Sequence, residues 1–503
     1  MSTAAPPRPT GIAEVPRTSA DGRPDPERPG RLGPSLRQWT PGLPAGWPMT
    51  ALLLLYPVWW ALGLPTFIFA IVSVPMAFQL YRRGNLRGIR LPPGFGFWLI
   101  LVAWAVLSVV MLDLTAPNTM PPQGFGRYIG WAIRSMNYIA LTVLLLYVIN
   151  MDERALSRRR VVRLLAFMSL VTVIGGNVGA LWPHLHFVAP LKFVLPGPIA
   201  ADPFVNHLMH IEVAQVQEVL EGESSSPRPS APFEFTNSWG ENTAILLVWL
   251  VVGWVVLGGQ LRRIAGCAVV LAAIFPIVYS LNRGLWIGLA VSVVYVAIRL
   301  ALRGRIAVLA GLALAVGMLG MLIVASPLGA TLSKRAENGH SDDIRATLNA
   351  GAVRAANASP ILGHGANRAL IGSGRSIAIG KSDDCKQCGN REIGSDGQLW
   401  HLLVAQGYVG AFCYNAFFLI CLWRFRHDHT PIGIAGSLVI ILMLIFQFLY
   451  GSLPTTLAFA LISVGLLMRN DMKLREERAA LAGRVAERQP VRLHGRLVKA
   501  DAR

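Results

Sequence analysis

Arg283 stands at the outer tip of a hydrophobic hairpin, in Ser280-Leu-Asn-Arg-Gly-Leu-Trp-Ile-Gly288. Apolar residues 267–279 precede it and 285–297 follow it, so its guanidinium meets the membrane boundary that cations usually avoid. A charge at that depth needs a partner: either an anionic ligand or, by snorkelling, the lipid headgroups. Other arginines share that side of the chain. Arg228 lies in Arg228-Pro-Ser-Ala-Pro-Phe-Glu-Phe-Thr-Asn237, just ahead of an apolar stretch. Arg345 and Arg354 follow Ser341-Asp-Asp-Ile, a helix start with a capping hydroxyl and acids in its first turn. That helix is expected to end near Asn357, before Ser359-Pro360. A nine-residue separation is about 900° of helix, so the two arginines point to opposite sides, and Arg345 is the candidate. Planar guanidinium forks match phosphate oxygens, and such a cluster suits a diphosphate. The chain has no P-loop or dinucleotide glycine fingerprint and no dense acidic cluster for magnesium. A lipid-linked diphosphate neutralised by arginine, with no metal and no cofactor, fits these residues.

The elements that must position these cations are membrane helices. Of 503 residues, 53% are hydrophobic and 15% charged, with a mean hydropathy of +0.48, which excludes an ordinary soluble enzyme. The net charge of +19 is spread over short loops between apolar stretches, which speaks against nucleic acid as a partner. About twelve stretches have the length a bilayer needs. The expected fold is an all-α membrane protein: a disordered cytoplasmic tail over 1–46, transmembrane helices one to five over 47–182, and an extracytoplasmic loop over 183–242. Helices six to nine follow over 243–325, a large extracytoplasmic loop over 326–397, helices ten to twelve over 398–468, and a basic cytoplasmic tail over 469–503. Counted this way, the inner loops carry sixteen Lys and Arg, whereas the short outer segments 113–127, 280–283 and 451–453 carry only Arg127 and Arg283. That bias orients a multi-pass plasma-membrane protein with both termini cytoplasmic.

Two outer segments are too long to be connectors, and function concentrates in such loops. In the first, apolar residues over 205–220 recur at helical spacing and predict a helix on the membrane surface or against the second loop. The second holds Cys385-Lys-Gln-Cys388, which reads as a local disulfide, half of a zinc site, or neither. Cys267, Cys413 and Cys421 lie in apolar stretches and behave as small hydrophobes.

Three of these segments, within 228–410, resemble in order the motifs of the O-antigen ligase/O-antigen polymerase family of polytopic envelope glycosyltransferases. Arg228…Phe233…Asn237 resembles the family's Arg-x-x-Gly-x-Phe…Asn element, with Ala231 where glycine is usual. Ser280…Arg283-Gly284…Gly288 resembles its Ser-Arg-Gly…Gly element, and Arg345…Pro360-Ile-Leu-Gly363-His-Gly365 its Arg…Pro-hydrophobic-x-Gly-x-Gly element. The resemblance implies a C-type, metal-independent transferase that takes a glycan from a polyprenyl-diphosphate donor. Its acceptor would be a hydroxyl on a glycan, lipid or wall polymer at the outer face. Arg228, Arg283 and Arg345 would bind the diphosphate. The family's usual catalytic histidine is replaced: Asp396 occupies its place in Asp396-Gly-Gln-Leu-Trp-His-Leu-Leu-Val-Ala-Gln-Gly407-Tyr-Val-Gly410. Asp396 is therefore the candidate base, with His401 and His364 as further candidates. His401, about 140° further round the helix, is expected to point elsewhere.

Two other classes compete. About twelve spans also suit a major-facilitator-type transporter, but the 258–265 loop between spans six and seven is short and both long loops are external, unlike two six-span halves. A non-catalytic envelope-assembly scaffold would explain the missing histidine.

Overall fold

The computed structural model describes residues 44–82, 88–197, 203–215, 227–307, 340–371 and 392–488, with isolated positions between 309 and 317. The described chain is mostly helical. Helix α1 (Trp47–Leu54) breaks at Leu55, where Pro57 withholds an amide from any continuous helix, and α2 (Tyr56–Ala61) restarts the run. Then come α3 (Ile68–Arg82), α4 (Phe95–Leu107), α5 (Gly126–Asn150) and α6 (Arg158–Leu181), the last capped by the Ser157 hydroxyl accepting from the Arg160 amide. After a segment that holds the short α7 (Pro203–Met209) come α8 (Thr236–Leu250), α9 (Gln260–Tyr279) and α10 (Arg283–Ala301). The chain continues with α11 (His340–Ala358), α12 (Gln398–Phe425), α13 (Pro431–Phe446) and α14 (Thr455–Arg488).

Among the described residues six helices are long and apolar enough to cross a membrane: α5, α6, α8 with its π-helical continuation to Val256, α9, α10 and α12. Residues 68–82, 95–111 and 431–446 form shorter apolar helices. Little of α9 and α10 is buried although both are apolar, the pattern expected of a surface that faces lipid. The expected span over 306–325 falls largely outside the described residues, as do residues 1–43. The core lies where α4, α5, α12, α13 and α14 meet, around the fully buried Trp98, Tyr138, Tyr414, Phe417 and Phe446. Indole N–H groups inside it find acceptors: Trp98 Nε1 donates to Thr142 Oγ1 (2.8 Å) and Trp249 Nε1 to Ser463 Oγ (3.0 Å).

The segment between α6 and α8 departs from the expected helix over 205–220. Only α7 (Pro203–Met209) is helical; the chain then extends as β2 (His210–Glu212), pairing with β1 (His186–Val188), and β3 (Ala214–Gln215), pairing with β4 (Arg228–Pro229). Burial there alternates, with Ile211 covered between exposed His210 and Glu212, so a two-residue period overrides the helical one. Residues 216–220 are outside the described set. The α11 helix runs to Ala358 and stops before Ser359-Pro360, as the sequence leads one to expect.

The loop after α11 docks into a break in α12. Gly407 there has φ 66°, and a Cβ on it would lie 2.5 Å from the Pro360 carbonyl oxygen. Across the junction the His364 amide donates to Val404 O (2.7 Å), the Gly365 amide to Ala405 O (2.9 Å) and the Tyr408 amide to Pro360 O (2.8 Å). The glycine pattern of both motifs is thus one packing device: bare backbone of the loop against an interrupted helix.

Candidate functional site

Where the segments after α6 and after α11 come together lies a cavity of about 630 Å³. Its wall is assembled from distant stretches: Arg134 on α5, Gln215 on β3, Glu234 before α8, Asn367 and Glu392 between α11 and α12, and His401 on α12. The Gly451–Thr456 turn closes one side. Gln398 ties that turn to α12, its amide donating to Tyr450 O (2.7 Å) and its Oε1 accepting from the Ser452 amide (3.2 Å).

The segments that carry the three motif arginines meet around Tyr450, at the edge of this turn: Arg228 and Arg345 act on it by charge, and the hairpin that carries Arg283 touches it through Asn282 and Gly284. Arg228 Nε donates to the Ser280 carbonyl (3.1 Å), clamping β4 onto the α9–α10 hairpin. In the same hairpin Asn282 accepts the Tyr450 hydroxyl, and Gly284 lies so near that hydroxyl that any side chain would collide with it. Arg283, between them, is exposed. Burial drives the Tyr450 hydroxyl upward, as does the Glu241 carboxylate, while Arg228 and Arg345 pull it back down. Arg228 and Arg345 therefore both lie within electrostatic reach of one buried phenol. Gln215, opposite Arg228 in the β3–β4 pair, lines the cavity, so Arg228 adjoins it, although none of the three motif arginines is itself among the lining residues. Arg354, on the same helix as Arg345, is exposed.

Inside the cavity His401 Nδ1 lies 2.7 Å from Asn367 Oδ1. An amide oxygen only accepts, so Nδ1 carries the proton and Nε2 keeps a lone pair. That Nε2 is buried and has no hydrogen-bond partner among the described residues. Arg134, which donates to Gly365 O (3.1 Å), bears electrostatically on both His401 and Glu392. Burial raises the Glu392 carboxyl above its ordinary range, against the pull of Arg134. Glu234 is raised by burial too, although the Thr66 hydroxyl donates to it at 2.5 Å. Two carboxyls prone to hold their protons thus face one arginine and one imidazole.

Asp396, the first-ranked base from sequence, is half-buried between the lining residues Ser395 and Gln398 but is not itself among the cavity's lining residues. His401 lines the cavity whereas Asp396 does not; α12 starts at Gln398, after an extended Gly397, so Asp396 is not on its helix and the two are not related by a helical offset. His364, the third candidate, is 1% exposed and also outside the lining. Its backbone is consumed by the docking onto α12, and burial together with Arg368 lowers its imidazole. Arg368 itself donates to the carbonyls of Leu112 (2.8 Å) and His364 (2.6 Å) and is held down to about 10, chiefly by burial.

No protein-family model matches the chain, and no curated protein matches it. The family resemblance therefore stands on the motifs alone. Sequence reasoning missed Arg134, Asn367 and Glu392. Arg134 had a legible signal, a lone arginine within an apolar stretch; Asn367 and Glu392 had none, being ordinary polar residues of a loop. Among the described residues no group of three His, Cys, Asp or Glu is disposed to hold a metal ion, and Cys385 and Cys388 lie outside them. Cys267, Cys413 and Cys421 are free thiols.

Proposed function

We propose that the protein is a multi-pass envelope glycosyltransferase of the ligase/polymerase type, with about twelve crossings and both termini cytoplasmic. It transfers a glycan from a polyprenyl diphosphate to an acceptor hydroxyl at the outer face of the plasma membrane. Arg228, Arg283 and Arg345 hold the diphosphate. His401 Nε2 takes the acceptor proton as the hydroxyl oxygen bonds to the anomeric carbon and the sugar–phosphate bond breaks. The bonding pair leaves on the diphosphate, where fixed cations stabilise the developing charge. Asn367 fixes the imidazole tautomer, and Arg134 lies beside the reacting groups.

The observation that supports this reading most is the meeting of three sequence-distant arginine segments around Tyr450, next to a cavity containing an imidazole with an open nitrogen. A leaving-group site beside a base is what acyl- and glycosyl-transfer chemistry needs. The decisive experiment uses purified protein in liposomes with a polyprenyl-diphosphate oligosaccharide and an envelope glycolipid extract. Appearance of free polyprenyl diphosphate together with an enlarged acceptor is expected. Gradient-driven solute uptake without any turnover would instead favour a transporter, and neither activity would favour a scaffold.

A further inference from the structure

A second cavity, of about 720 Å³, lies at the opposite end of the helices. Along α5, Arg134 lines the first cavity and Asn150 the second; sixteen residues of helix separate them by about 24 Å, close to the thickness of a bilayer core. The second cavity is framed by Leu80 at the end of α3, residues 88–90 before α4, the end of α5 through Glu153, Arg158 on α6, and Arg469 to Glu476 on α14. Nothing in the transfer chemistry uses it.

Its charged lining consists of Arg90, Arg158, Arg469 and Lys473 against Asp152, Glu153 and Glu476. One carboxylate is shared: Glu153 accepts from Arg158 Nε (2.7 Å) and from Arg469 Nη2 (3.0 Å). Arg158 is completed by Asn470 Oδ1 (2.7 Å). Arg469 is only 4% exposed, and its Nη1 is buried with no partner among the described residues. A guanidinium so covered and under-satisfied is costly unless an anion comes near. Arg90 is held in place through its backbone, its amide donating to Asn150 Oδ1 (2.7 Å) and its carbonyl accepting from Asn150 Nδ2 (3.0 Å). Its Nη1 reaches the Met472 thioether at 3.4 Å, a poor acceptor for a cation. Lys473 pairs with Glu477 at 3.6 Å on an exposed helix face, a contact worth little.

The rest of the wall is apolar, from Leu80, Ile89, Ile149 and Met472. Beside Leu80, α3 exposes Val74, Phe78 and Tyr81 on a helix that is otherwise apolar, which makes the cavity continuous with a lipid-facing surface. A phosphate with an acyl chain attached satisfies both halves of this lining.

We propose that this cavity binds the phosphate of an anionic phospholipid, with Arg90, Arg469 and Lys473 as its cationic ligands and the chain lying along α3. The test uses the full-length protein in detergent, titrated separately with phosphatidylglycerol, phosphatidylcholine and inorganic phosphate. Binding is read by native mass spectrometry and by thermal stability. Arg90→Ala/Lys473→Ala is the variant, since both side chains are exposed and their loss leaves the Arg158–Glu153–Arg469 core intact. Phosphatidylglycerol is expected to bind and raise the melting temperature, with phosphatidylcholine inert. The double variant should weaken binding about 25-fold, or about fivefold per removed cation near an anionic headgroup. If inorganic phosphate alone reproduces the effect, the anion site stands but its ligand is free phosphate, and the lipid assignment is overturned. Equal binding of both lipids, or binding indifferent to the double variant, overturns the site. None of these readouts depends on glycan transfer.

Discussion

His401 Nδ1 and Asn367 Oδ1 are 2.7 Å apart although one lies on α12 and the other in the segment between α11 and α12. The bond joins the loop to the helix and sets which imidazole nitrogen is open. If His401 is the base, His401→Ala should cut turnover on the order of 10²- to 10⁴-fold with the protein still inserted. Asn367→Ala removes one positioning hydrogen bond, about 1 kcal/mol, and should slow transfer about fivefold with little change in KM. Asp396→Asn should retain most activity. The reverse order, with Asp396→Asn inactive and His401→Ala active, would return the base role to the carboxylate.

Arg228→Ala and Arg283→Ala each remove a cation from the segments that meet at Tyr450. By analogy with other donors to a developing anion, each should lower kcat on the order of 10²- to 10³-fold. Arg228 also clamps β4 to Ser280 O, so Arg228→Lys tests whether charge alone suffices. A lysine cannot reproduce the fork, and only partial rescue is expected. Full transfer by both alanine variants, measured as polyprenyl diphosphate released, would end the assignment.

The His364 imidazole predicts a pH dependence of stability. Burial, reinforced by Arg368, lowers its pKa below the ordinary 6.5. On acidification through that value the unfolded chain takes up a proton that the folded chain refuses, so folding stability falls as pH drops. Glu234 and Glu392, raised by burial, act oppositely: they hold protons in the fold and lose stability as pH climbs above the ordinary glutamate range. Comparing wild type with His364→Leu isolates the first effect, because leucine leaves no hydrogen bond unmade. The variant should melt less steeply towards acid between about pH 7 and 5, and it should still transfer glycan. An unchanged acid slope contradicts the assignment.

How far the sequence carried can be judged on particular residues. Long apolar runs such as 126–150 and 398–425 were plain, because bilayer burial demands length and hydrophobicity that no other context tolerates. The arginine segments were visible because charge is conspicuous in such a chain. Residues 210–215 were misread because two paired strands of three residues or fewer bury too little to leave a clear alternation in one sequence. His401 was placed behind Asp396 because the motif alignment put Asp396 in the histidine's position; the angular offset between them assumed a helix through Gly397, whereas the helix begins only at Gln398. Asn367 could not be foreseen at all: its role depends on a loop docking 34 residues away in the chain, a tertiary fact without local signature.

That docking is itself open to test at Gly407. Its backbone combines φ 66° with ψ −165°, a region essentially reserved for glycine, and an added methyl would press within 2.5 Å of Pro360 O. Gly407→Ala should therefore cost about 1–3 kcal/mol from the backbone conformation alone. Relief would come by releasing 359–365 from α12, breaking the His364–Val404 and Gly365–Ala405 bonds. Gly365 O also receives Arg134, and Asn367 lies two residues beyond, so the same release loosens both groups facing the cavity. Hydrogen exchange should rise across 359–368 in the variant while the α5 and α13 cores stay protected, and turnover should fall more than donor binding does. Unaltered exchange over 359–368 would mean that the loop is held by something other than the interrupted helix.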